Sequence, residues 1–157
     1  MSLPFGLRLD VEDKPSDADV EILPHRLEDF NESRWPGHQP WRPLAVFVRD
    51  RDGIVAGLAG ETYGGWLFIR YLWVSGDLRG QGVGRKLVGG GEDRAVERGC
   101  HSAWVDTFSF QAPGFYRKLG YAVFGELDWS PDHRRLFLQK RLVPRAEASI
   151  QSESYEP

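Results

Sequence analysis

The sequence predicts a mixed α/β (α+β) fold, and three observations carry that prediction. Trp66 to Val74 is an apolar run of strand length. Directly after it Gly80, Gly82 and Gly84 alternate, and Val83, Leu87, Val88, Gly91 and Ala95 then fall on one face of a helical repeat. Pairs of short apolar runs separated by turn residues stand on either side of this strand–glycine–helix unit.

Taken in order, Leu7 to Val11 alternates apolar and charged residues, as a short outer strand would. Pro15-Ser16-Asp17 reads as a helix start with Ser16 or Asp17 as the cap. Val20, Leu23, Leu27 and Phe30 form the apolar stripe of that helix, and Pro24 within it should kink or split it. Arg34 to Pro43 is a Trp/Pro/Gly/His-rich loop; it reads either as a specificity loop or as aromatic filler between helix and sheet. Leu44–Arg49 and Ile54–Tyr63 form a hairpin around Asp50-Arg51-Asp52-Gly53, and Gly64-Gly65 makes the next tight turn.

Trp66–Val74 is apolar on both alternating faces, the pattern of a central strand covered on both sides. Arg70 breaks it. A charge in mid-strand needs a partner or an open cleft, and an ion pair is the preferred reading. Residues 83–98 form the glycine-loop helix, although Gly89-Gly90-Gly91 in its middle is poor helix sequence; close packing on the sheet is one explanation. Ser102–Phe108 reads as a strand. Pro113 opens a short helix with Gly120 just past its end. Phe115 and Leu119, four apart, form its core face, so Tyr116 should point elsewhere. Tyr121–Leu127 and Arg134–Leu142 close the chain as a hairpin around Asp128–Asp132, and residues 144–157 read as a disordered tail after a single domain over 1–143.

The composition narrows the function classes. At 157 residues one domain is expected, and 41% hydrophobic content suits a globular core. The net charge of −3 argues against nucleic acid as a partner. A single cysteine, Cys100, excludes an internal disulfide, fits a reducing, cytoplasmic setting and reads as small apolar filler. No apolar run approaches the roughly 20 residues of a membrane span, and the N-terminus lacks a signal-peptide pattern. No His, Cys or carboxylate cluster has metal-ligand spacing, so no metal is expected. His38 and His133 read as surface loop histidines rather than bases.

Glycines at a strand-to-helix turn allow unusual torsions and close approach of a ligand to the backbone, and the helix start offers unpaired N–H groups and a positive dipole end. That is a phosphate or pyrophosphate site in waiting, and Arg79, Arg85 and Lys86 add charge to it. The P-loop pattern fails, because Leu87 follows Lys86 where Ser or Thr is required. The dinucleotide pattern G-x-G-x-x-G also fails, because Leu87 occupies its third glycine. Arg79-x-x-Gly82-x-Gly84 instead resembles the acetyl-coenzyme A motif [QR]-x-x-G-x-[GA] of the GNAT family of N-acetyltransferases. Gly114-Phe115-Tyr116-Arg117-Lys118-Leu119-Gly120-Tyr121 looks like the same family's "alYeklGF" segment, at the expected distance. The resemblance covers roughly residues 40 to 142 and extends more weakly over the N-terminal part.

The resemblance implies a central, mixed, mostly antiparallel twisted sheet of six or seven strands flanked by helices. Two strands, matching Trp66–Val74 and Ser102–Phe108, would splay apart to take acetyl-CoA. Main-chain groups of Leu72, Trp73 and Val74 would hold the pantetheine arm and thioester carbonyl. Amides of Gly80, Gln81, Gly82, Val83, Gly84 and Arg85, with Arg79 in the motif, would hold the pyrophosphate. Tyr116 matches the tyrosine that protonates the departing sulfur, and Gln111 lies where many members use Asn on the pantetheine. The N-terminal helical region would form one wall of the acceptor cleft. The amine must be neutral when it attacks, against a lysine-like reference pKa of about 10.4, so a base is needed; Glu61 and Asp106 are the candidates, directly or through water. The expected reaction is direct acetyl transfer to a primary amine in a ternary complex, with a small-molecule acceptor preferred over a peptide or protein amine. A non-catalytic CoA sensor or interaction module on the same fold, or another acyl group, are the alternatives. Dimerisation, common in that family, is carried as an expectation.

Overall fold

The computed structural model describes residues 4–144. The tail expected over 144–157 lies outside them apart from its first residue. The chain divides into two compact units, Met1–His38 and Gln39–Pro157. No helix among the described residues is long and apolar enough to cross a membrane.

The first unit is built on one helix, α1 (Asp17–Arg34), started by Ser16, whose hydroxyl accepts from the Asp19 amide at 3.1 Å. Two corrections apply here. Residues 7–11 form no strand, since no neighbouring strand pairs with them, and α1 continues through Pro24 as one helix, so of the kink or split expected there the split does not occur. A third correction concerns His38, which is buried rather than a surface residue. Its Nε2 lies 2.9 Å from Glu28, and its Nδ1 lies 2.9 Å from the Trp35 carbonyl and 3.1 Å from Glu32. Burial alone would lower the imidazole's pKa, but the Trp35 carbonyl and the two carboxylates outweigh it and raise the value.

The second unit holds a six-stranded sheet in the order β1-β2-β3-β4-β6-β5. The strands are β1 (Arg42–Arg49), β2 (Ile54–Tyr63), β3 (Trp66–Val74), β4 (Ser102–Phe108), β5 (Ala122–Ser130) and β6 (His133–Arg141). All pairings are antiparallel except β3 with β4. Helix α2 (Val83–Glu97) makes the crossover that a parallel pair requires, and the short α3 (Pro113–Lys118) follows β4. The β5–β6 turn is tighter than the sequence suggested, because the strands pair as far as Ser130 and His133. One core runs between sheet and helices. Leu58, Leu67, Ile69, Leu87, Val88, Ala103, Val105 and Leu138 are fully or almost fully buried in it.

The β3–β4 ladder is short. It joins Trp66–Ile69 to Ser102–Val105 and then stops, while both strands continue. At the same level the β2–β3 register shifts: Ile69 faces Gly60 and Tyr71 faces Ala59, so Arg70 is the extra residue of a bulge. A bulge bends its strand, which explains the parting of β3 from β4. It also accounts for the charge in mid-strand, since Arg70 turns out of the ladder and pairs with Glu61 at 2.7 Å. The strand is not covered on both faces, as its apolar pattern suggested: Tyr71 and Trp73 beyond the bulge are exposed.

Two glycine sites show what the fold tolerates. A Cβ on Gly60 would lie 1.9 Å from the Phe68 carbonyl oxygen, so the bulge closes only over a glycine. In α2, a Cβ on Gly91 would meet Leu58 at 3.3 Å, whereas one on Gly90 would make ordinary contact with Val46 at 3.6 Å. Close packing therefore explains Gly91 and not the whole triplet. Gly60→Ala is expected to cost more than about 2 kcal/mol, because backbone must move. Gly90→Ala is expected to stabilise by about 0.5–1 kcal/mol through helix propensity and a less flexible unfolded chain. Thermal unfolding of the two variants should move the midpoint in opposite directions.

Candidate active site

The parted ends of β3 and β4 open beside the start of α2. The chain leaves β3 through a 3-10 turn (Gly76–Leu78), and Gly80 and Gly82 take positive φ of 73° and 80°. Gly82 is the N-cap of α2 and supplies no side chain to it, and the first turn carries no acidic residue. The first amides of the helix therefore have no side-chain acceptor and present the positive dipole end. Nothing lies within 4 Å of a Cβ built on Gly80 or Gly82, so a ligand can approach the backbone there. Gly84 is constrained differently, since its Cβ would meet the Phe115 ring at 3.2 Å.

These elements surround a pocket of about 480 Å³. Of the residues singled out in the sequence, Leu72, Trp73, Val74, Arg79, Gly80, Gly82, Val83, Gly84 and Arg85 line it. Leu78, Ala112, Phe115, Lys118 and Leu119 complete the wall. The lining holds no carboxylate and three cations, Arg79, Arg85 and Lys118, in a chain whose net charge is −3. Arg79 also fixes the end of β3, its Nε donating to the Val74 carbonyl at 3.0 Å.

Gln81 and Gln111 do not line the pocket. The Gln81 amide donates to the Asp77 carbonyl at 2.6 Å and so stabilises the turn itself. The Gln111 carbonyl oxygen accepts from the Phe108 amide at 2.9 Å and the Thr107 hydroxyl at 3.1 Å, which closes the turn after β4.

The assignment of faces on α3 is reversed. Tyr116 is the residue that is buried, 6% exposed, with edge-to-face ring contacts to Phe115 at 5.2 Å and Tyr121 at 5.8 Å. Phe115 and Leu119 pack on the core's margin and face the pocket, together with Lys118. A helix of six residues is under two turns long, so an i, i+4 pair does not define its inner face. No described residue hydrogen-bonds the Tyr116 hydroxyl, yet it is not among the fully enclosed polar atoms. Burial, and then the charge of Asp106, push the phenol's pKa up to about 12.

The two candidate carboxylates are both engaged by arginine. Glu61 uses both oxygens on Arg70, at 2.7 and 3.4 Å. Asp106 receives Arg135 Nε and Nη2 at 2.7 Å on Oδ2 alone. Arg135 lies in turn within 6 Å of the Phe108, Trp129 and Phe137 rings.

Several supporting contacts left no sequence signal. The Gln39 side chain accepts from the Gly65 amide at 2.8 Å and donates to the Arg98 carbonyl, tying the β2–β3 turn to the end of α2. The Tyr121 hydroxyl donates to Glu92 at 2.9 Å, and Lys140 pairs with the same carboxylate at 2.7 Å. Burial, followed by the Glu92 charge, raises the Tyr121 pKa strongly.

Comparison with known proteins agrees with this geometry. A family model described as the Acetyltransferase (GNAT) family matches residues 11–121. The blasticidin-S acetyltransferase of Streptomyces morookaense is 34% identical over 131 residues, covering 74% of this chain and 96% of that protein. The streptothricin acetyltransferase of Streptomyces lavendulae is 37% identical over 79 residues, covering 47% of this chain and 42% of that one. A crystal structure of an acetyltransferase from Bacillus cereus superposes with a TM-score of 0.72 at 32% identity, over 84% of this chain and 97% of that chain. With its mixed six-stranded sheet, parted β3–β4 pair and glycine turn, the chain belongs to the GNAT family of acetyltransferases.

Proposed function

We propose that the protein transfers an acetyl group from acetyl-CoA to a primary amine of a small molecule, by direct attack in a ternary complex. The observation that carries this reading is the basic pocket between the free end of β3 and the start of α2, which no side chain caps. A diphosphate suits the amides of Gly80 to Arg85, and a pantetheine arm suits the β3 edge at Leu72–Val74, whose ladder to β4 has ended. Family membership and two relatives named for antibiotic acetylation favour a small, amine-bearing antibiotic-like acceptor over a protein.

In this reading Tyr116 gives its proton to the departing sulfur. A phenol held protonated, with a hydroxyl that no described residue claims, suits that role. The base is Asp106 acting through water: its Oδ1 stays open while Arg135 holds Oδ2, whereas Arg70 takes both oxygens of Glu61. Glu61 then keeps the bulged arginine in place.

The test is release of free CoA from acetyl-CoA, followed with a thiol reagent across antibiotic amines, polyamines and peptides. Turnover is expected with a member of the first group. Tyr116→Phe should lower kcat by about a hundredfold, within the range for a lost general acid, with little change in acetyl-CoA affinity. Asp106→Asn should lower kcat more than Glu61→Gln does. Tight CoA binding without turnover on any amine would instead make the protein a CoA-binding module.

The phenols also set an alkaline limit. A tyrosine whose folded pKa is raised keeps its proton longer when folded, so its contribution to stability is complete below the unfolded value of about 10 and is lost as pH rises toward about 12. Urea midpoints should therefore hold steady from pH 8 to 9.5 and fall above pH 10. Tyr116→Phe should flatten part of that fall.

A further inference from the structure

The short helix α3, which carries Tyr116, is tied to α2 at two places. Near the start of α2 the contact is apolar: a Cβ on Gly84 would lie 3.2 Å from the Phe115 ring. About 12 Å further along α2, at the rise of an α-helix, it is polar. There the hydroxyl of Tyr121, a buried residue, donates to Glu92 at 2.9 Å. Lys140 of β6 holds the same carboxylate, with Nζ 2.9 and 2.7 Å from its two oxygens, and lies 5.6 Å from the centre of the Tyr121 ring.

Six residues are too few to hold a helix by propensity, so tertiary contacts decide where α3 sits. The apolar contact is non-directional and leaves α3 free to slide and turn about Phe115. The hydrogen bond to Glu92 is directional and removes that freedom. Tyr121 is also joined to Tyr116 through the main chain. Its amide donates to the Tyr116 carbonyl at 3.1 Å, and Gly120 between them turns the chain with φ of 91°. Their rings meet edge to face at 5.8 Å. A shift of Tyr121 therefore reaches Tyr116 through one hydrogen bond and one ring contact.

We propose that Glu92 is a positioning residue for acetyl transfer: through Tyr121 it sets where the Tyr116 hydroxyl stands relative to the helix that takes the donor. The inference rests on Tyr116 being the acid that protonates the departing sulfur. In that reading α2 takes the donor's diphosphate at its start and anchors the acid at Glu92, so one helix sets the span from sulfur to phenol. Lys140 keeps the carboxylate turned toward Tyr121. Glu92 exchanges no proton in the step.

CoA release with blasticidin S and streptothricin as acceptors, and calorimetry with acetyl-CoA, test this on the full chain. Tyr121→Phe and Glu92→Ala should each lower kcat by about tenfold, inside the roughly hundredfold that an ångström of misplacement can cost. Acetyl-CoA affinity should stay within about twofold of wild type in both. Glu92→Gln still offers a carbonyl oxygen to the Tyr121 hydroxyl, so it should recover most of what Glu92→Ala loses. In a Tyr116→Phe background, Tyr121→Phe should lower kcat little further, because no acid remains to be placed. The inference is overturned, with Tyr116 still the acid, by unchanged kcat in Tyr121→Phe, by an equal loss in the Tyr116→Phe background, by affinity that falls in step with kcat, or by no recovery in Glu92→Gln. Unchanged kcat in Tyr116→Phe removes the acid assignment and this inference with it. Should neither antibiotic turn over, NMR of the Tyr116 ring with acetyl-CoA bound needs no acceptor. Ring flips should quicken about tenfold or more in Tyr121→Phe and Glu92→Ala but not in Glu92→Gln, and unchanged flipping overturns the inference.

Discussion

The β-bulge at Arg70 is the constraint on which the site depends. Four residue pairs hold β3 and β4 parallel, and the bulge then turns β3 away. Beyond it, β3 still pairs with β2 as far as Val74, so only its β4-facing edge loses partners. Those unpaired main-chain groups are costly if buried and left alone. They stay affordable because they face an open pocket, and a ligand with an amide backbone of its own can replace the missing strand. Gly60 makes this geometry reachable, since any side chain there would run into the Phe68 carbonyl. Glu61, the next residue, holds the displaced arginine. The residues that create the opening are thus neighbours of those that line it.

Charge is partitioned to match. The chain is acidic overall, yet the pocket walls hold only basic side chains among their ionisable groups. Three carboxylates near the site are bound to a cation: Glu61 to Arg70, Asp106 to Arg135, Glu92 to Lys140. Pairing removes local negative potential that would oppose a polyanionic ligand, and it leaves Arg79, Arg85 and Lys118 as net charge. These partly buried pairs are weak evidence for stability, because desolvation offsets much of the Coulomb gain. Their clearer effect is to fix which charges a ligand meets.

Much of this was legible in the sequence, for identifiable reasons. β2, β3 and β4 fall where expected because glycine turns or a helix start bound them. The glycine turn was readable because Gly80 and Gly82 are both needed at positive φ. The bulge was not, since a register shift belongs to a pair of strands; Arg70 showed in the sequence only as an anomalous charge. α3 was misread because six residues carry too little periodicity to fix a face. His38 was misread because its environment comes from Glu32 and Glu28 of α1, six and ten residues back, and a lone loop histidine gives no hint of two carboxylates beside it. Leu7–Val11 alternates as a strand does, but alternation without a partner makes no sheet.

The placement of Tyr116 bears on how the proposed chemistry and the fold share one residue. Burial that keeps a phenol protonated also makes its phenolate unstable, so the anion formed by giving up a proton would be recharged at once from solvent or a relay. Asp106 strengthens both effects, because its charge opposes a second negative charge nearby. Arg135 on the far side of that carboxylate holds Oδ2 and so fixes its orientation. The Tyr121 ring, held through its hydroxyl to Glu92, braces the Tyr116 ring from within the core. The Tyr116 ring is thus fixed by core packing on one side, and its oxygen has no partner among the described residues on the other, which is what the proposed proton donor requires. In the proposed reading the buried face of α3 orients the acid, and its pocket-facing side, Phe115, Lys118 and Leu119, would shape the donor's path.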